Sequence, residues 1–117
     1  TRELSEALKR RCLYLHVPYP TIEREQAILA ERVPDLPEMM AEKIARTVAS
    51  IRTINTRKPP SVSESIDWAR TLIALGIADL DDGAVSDTLH VLLKYQTDID
   101  KARKELSLPD VEGVVEA

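Results

Sequence analysis

Seven prolines, at positions 18, 20, 34, 37, 59, 60 and 109, constrain this 117-residue chain more than any other feature. Proline has no backbone N–H and its ring clashes with the preceding helical turn, so each one marks an element boundary. Between the boundaries the apolar spacing is helical. Thr21 reads as the N-cap of a helix through about Val33, with Glu23 and Glu25 in the first turn, where carboxylates are favourable. Asp35 and Glu38 read as a capping box, and Met40, Ile44, Val48 and Ile51 place one face of the following helix in a core. That helix should end before Arg57-Lys58-Pro59-Pro60. Ser61 and Glu64 form a second capping-box pattern ahead of Ile66, Trp68, Ala69, Leu72 and Ile73, and Gly76 lies near the helix end. After a turn at 79–83, Val85, Leu89, Leu92, Ile99, Ala102 and Leu106 predict one long final helix.

The start of the chain differs. Leu4, Ala7 and Leu8 predict a short helix over residues 3–10, and Cys12–Val17 reads as a strand stopped by Pro18. A single strand cannot satisfy its own backbone groups, so its partners should lie elsewhere. With Thr rather than Met in first place, the expectation is a piece of a longer protein. The fold expected is mainly α, in three parts: residues 1–18 with the short helix and edge strand, residues 19–108 as a four-helix bundle, and a frayed C-terminus at 109–117.

Composition excludes several classes. A chain 44% hydrophobic and 31% charged is globular rather than disordered. No apolar run approaches the roughly 18 residues of a membrane span, and the polar start does not resemble a signal peptide. Cys12, the single cysteine, excludes an internal disulfide framework and fits a reducing, cytoplasmic setting. The net charge of -4 argues against a general nucleic-acid binder. The charge is uneven, at +3 for residues 1–58 and -7 for 59–117. Solvated helix faces account for this, although Lys9-Arg10-Arg11 also suits an anionic ligand.

No complete catalytic motif is present. His16 and His90 lack metal-ligand spacing, and no metal site is expected. The 79–83 turn fails the calcium-loop pattern, because Gly83 comes one position early and His90 stands in place of the bidentate glutamate. Neither a GxxxxGK[ST] phosphate loop nor a nucleophile elbow occurs.

Three stretches carry a family resemblance. Thr1-Arg2-Glu3-Leu4-Ser5-Glu6-Ala7-Leu8-Lys9-Arg10-Arg11-Cys12-Leu13-Tyr14 resembles the end of the nucleotide-binding core of MoxR-type AAA-plus ATPases. Tyr19-Pro20-Thr21-Ile22-Glu23-Arg24-Glu25 is similar to the start of their lid. Lys58-Pro59-Pro60-Ser61-Val62-Ser63-Glu64-Ser65-Ile66-Asp67-Trp68-Ala69 resembles the start of the third lid helix in the branch partnered with von Willebrand A-domain proteins. The resemblance implies that residues 19–108 are the lid and that the Walker A and B motifs precede Thr1. It implies ATP and Mg2+ in the full-length protein, neighbouring subunits in a hexameric ring, and a von Willebrand A-domain partner; composition, as above, adds that neither nucleic acid nor a membrane span is expected. The resemblance also implies a chaperone-like remodelling or maturation activity, with Tyr19-Pro20 near a hinge. The piece alone would bind no cofactor and would not be catalytic.

In such rings a subunit's arginine reaches the γ-phosphate held by its neighbour, where a permanently charged planar fork offsets developing charge. Arg11 is the first candidate by position and Arg10 the second. The usual sensor-2 arginine falls at Glu64, a departure from the family pattern. The favoured reading is that this branch lacks a sensor 2; the other is that Arg57 or Lys58 substitutes. Two alternatives come from other classes. One is a stand-alone helical protein-interaction module. The other, a DNA-binding unit over residues 36–75, conflicts with the acidic second half.

Overall fold

A computed structural model describes residues 19–108. Among these residues are five helices and no strand: α1 (Ile22–Arg32), α2 (Glu38–Arg52), α3 (Val62–Ala74), α4 (Asp82–Leu92) and α5 (Gln96–Glu105). Four of the predicted segments are present, but the long final helix is two helices. The predicted short helix, the Cys12–Val17 strand and the 109–117 tail lie outside the described residues. Among the described residues no helix is long and apolar enough to cross a membrane.

Helices α1 and α2 pack on each other, as do α3 and α4, and α3 touches both members of the first pair. The core forms where these faces meet. Ile44, Val48, Ile51, Leu72, Leu89 and Leu92 are fully buried, as their spacing predicts. Trp68 is also fully buried, and its indole needs a partner there. Nε1 donates to Thr88 Oγ1 at 2.7 Å, and that hydroxyl donates to the Ala84 carbonyl at 2.7 Å, so α3 is locked to α4 without an orphaned polar atom.

Capping follows the sequence at two of the three expected places, and the 79–83 turn supplies a further cap. Thr21 Oγ1 accepts from Arg24 N, and Asp81 Oδ1 accepts from Ala84 N. Ser61 and Glu64 complete their reciprocal box, with Ser61 N donating to Glu64 Oε1 at 2.8 Å. Asp35 is the exception, because α2 starts from Pro37 and has no side-chain cap. Leu36 N donates to Val33 O, closing a tight turn that buries Leu36 and leaves Asp35 exposed. Burying the leucine outweighs a cap at that point. Helix α3 ends in a Schellman motif: Ile77 N donates to Leu72 O and Gly76 N to Ile73 O, and Gly76 supplies the required φ of 72°.

The final helix breaks at 93–95. Leu93 and Tyr95 adopt extended backbone, with φ/ψ of -119/130 and -107/135. Neither Gly nor Pro marks the place. Leu92 and Leu93 are both buried, so the core continues through the break. The change of direction also brings the first turn of α5 to the α2–α3 loop.

Near the opposite end of α2, Lys43 Nζ donates to Asp79 Oδ1 at 2.8 Å. The hydrogen bond and the charge of Asp79 raise the Lys43 pKa. Both side chains are exposed, so the pair contributes little. Its contribution is fully present below the ordinary lysine range and lost as pH rises through the raised value. The difference in Tm between wild type and Asp79→Asn, small at pH 7, is therefore expected to close in strongly alkaline melts. Urea titration provides a second check. Thr21→Ala and Ser61→Ala should each lose about 1 kcal/mol, whereas Asp35→Ala should stay within about 0.5 kcal/mol of wild type.

Candidate functional site

The residues that could meet a ligand gather where the 53–61 loop joins α2 to α3. Its foundation is an ion pair that the sequence reading missed. Glu25 follows Ile22 by three positions and precedes Leu29 by four, so it shares their inward stripe and is only 1% exposed. Arg52 stands four residues after Val48, on the core side of the last turn of α2. Its guanidinium grips the carboxylate in a two-pronged fork, with Nη1 to Oε1 at 2.5 Å and Nη2 to Oε2 at 3.1 Å. The remaining donor, Nε, reaches the Pro60 carbonyl at 2.9 Å. The central carbon of the same group lies over the Tyr19 ring, 4.2 Å from its centroid. One arginine thus joins α1, α2, the base of α3 and the first described residue.

The loop is held from the other side by α5. Asp98 is 2% exposed, and its two oxygens accept from Arg57 N at 2.9 Å and Lys58 N at 3.1 Å. Lys101 Nζ donates to the Asn55 carbonyl at 2.6 Å. The Arg57 guanidinium lies over the Tyr95 ring at 4.3 Å. Both Arg57 and Lys58 are exposed, and within the described residues neither forms an ion pair.

Arg57 and Lys58, offered by the sequence as substitutes for a missing sensor arginine, are thus brought together with an aromatic ring beneath one of them. Glu64 is not part of that exposed surface. It is 7% exposed, occupied by the capping box, and its Oε2 lies 3.6 Å from Lys94 Nζ. Arg10 and Arg11 lie outside the described residues. His90 is exposed on α4, and among the described residues no three His, Cys, Asp or Glu side chains gather as a metal site. The arrangement offers cations and N–H donors to an anion. It contains no nucleophile paired with a base.

Asp98, Tyr95 and Lys101 were also missed. A carboxylate within an apolar stripe was the available signal for Glu25, but the sequence does not reveal a partner 27 residues away. For Asp98, which precedes buried Ile99, the partners are backbone amides, invisible to any side-chain pattern. No protein-family model, curated protein or solved structure matches the chain.

The buried pair makes a testable claim about stability. Arg52→Met leaves the Glu25 carboxylate buried and uncompensated, which should cost about 3–5 kcal/mol. Combining it with Glu25→Leu should recover most of that loss, because the orphaned charge is gone. Chemical denaturation of the two variants beside wild type would check this.

Proposed function

We propose that residues 19–108 act as the helical lid of a MoxR-type AAA-plus ATPase, with Arg57 and Lys58 contributing cationic contacts to the phosphates of bound ATP. The carrying observation is the held, exposed cation pair directly before the α3 capping box. This lies just upstream of the position where the family pattern would have its sensor arginine. Glu64 there has a complete structural role in the capping box, and a carboxylate facing phosphate would oppose binding.

On this reading the nucleotide-binding core precedes the lid in the natural polypeptide and supplies the Walker motifs and the Mg2+ site. The subunits form a hexameric ring. Arg11, or Arg10 beside it, reaches the γ-phosphate of the adjacent subunit and speeds hydrolysis. The lid turns about Tyr19-Pro20 as ATP is bound and spent, and a von Willebrand A-domain partner couples the motion to remodelling or maturation of a client in the cytoplasm.

The competing reading, a stand-alone helical interaction module, draws support from the extent to which the described helices bury their own core. ATP binding by the natural polypeptide separates the two. The ATPase reading expects Mg-dependent binding, and its absence would leave the module. Arg11→Ala should lower turnover about 10³-fold or more while binding persists. Arg57→Ala with Lys58→Ala should weaken ATP binding about tenfold or more, as loss of charge-assisted contacts does.

A further inference from the structure

We infer that α5 serves as a brace for the phosphate-contacting loop, and that Tyr95 and Asp98 are its positioning residues. The inference rests on the nucleotide reading of Arg57 and Lys58 and assigns the control of that contact to another helix.

Tyr95, Asp98 and Lys101 are spaced by three, so they follow one stripe of α5 and its N-cap. All three touch the 53–60 loop. Lys101 holds the Asn55 carbonyl, Asp98 holds the amides of Arg57 and Lys58, and Tyr95 lies under the Arg57 guanidinium. Arg52 secures the far end through the Pro60 carbonyl. A loop of this length would otherwise sample many backbone states, and ordering it upon binding would weaken affinity. Here its backbone is ordered before any ligand arrives. The Arg57 guanidinium carbon sits 4.3 Å from the Tyr95 ring centroid, and within the described residues no carboxylate pairs with that group, so its charge is left for a ligand. Asp98 spends both oxygens on backbone amides rather than on the neighbouring cations. The helix break at 93–95 has a purpose on this view, since a straight continuation of α4 would carry these residues elsewhere.

Positioning and simple charge make opposite predictions at Asp98. As a nearby negative charge, it would oppose phosphate, and Asp98→Asn would tighten ATP binding. As a positioning residue, it presents two acceptors where an amide presents one acceptor and a conflicting NH2, so Asp98→Asn would weaken binding. The experiment is ATP affinity of the natural polypeptide with Mg2+, with melting curves to confirm folding. Asp98→Asn and Tyr95→Ala should each raise the Kd on the order of tenfold, and Tyr95→Phe, which keeps the ring, should restore it. Tyr95→Ala added to Arg57→Ala should weaken binding no further, because the ring acts through the guanidinium. If Asp98→Asn fails to fold, the Tyr95 pair still decides, because this ring is 40% exposed. Wild-type or tighter binding by Asp98→Asn and Tyr95→Ala, alongside weak binding by Arg57→Ala, would overturn the brace alone. Wild-type binding by Arg57→Ala with Lys58→Ala would overturn the phosphate role and the brace with it.

Discussion

The Glu25 carboxylate is buried on the inner face of α1, and the bundle end is arranged around satisfying it. Removing a carboxylate from water costs several kcal/mol unless a cation and hydrogen bonds replace the lost solvation. Arg52 supplies both, with two donors to Glu25 and a third to Pro60. A buried ion pair contributes geometry more than stability. The planar fork admits few orientations, so the ends of α1 and α2 and the base of α3 are registered to one another. Tyr19, whose ring lies beneath the same group, joins this frame where the lid proposal puts its hinge.

The frame lets the adjacent loop be irregular and still ordered. Loop amides that no helix can satisfy are instead taken by the Asp98 carboxylate, and the Asn55 carbonyl by Lys101. Charged side chains are thus spent on backbone groups, and the charges left outside are positive. An acidic half of the chain can therefore border a locally cationic surface. Net charge describes long-range solubility and steering, whereas a contact site is governed by which charges remain uncompensated.

Much of the helical framework was legible. The caps at Thr21 and Ser61 and the stripe from Met40 to Ile51 are local signals, set within a turn or two of chain. Two local signals misled. Asp35 had the right neighbours for a cap, but burial of Leu36 turned the chain differently. The apolar spacing from Val85 to Leu106 ran on across 93–95 because the break there uses no residue with special backbone needs. Of the candidate site, Arg57 and Lys58 were legible as a cationic pair, while everything that holds them was not.

The sequence by itself determined where most helices begin, which faces they bury, and that two cations stand ahead of α3. These follow from periodicity, capping chemistry and proline, all of which act over a few residues. Tertiary structure alone decided that Glu25 meets Arg52, that Asp98 meets the amides of residues 57 and 58, and that α5 separates from α4 to do so. Each of those contacts spans 27 to 41 residues. The energy that selects them is the desolvation of a charge, which depends on what surrounds the group in space and leaves no periodic trace along the chain.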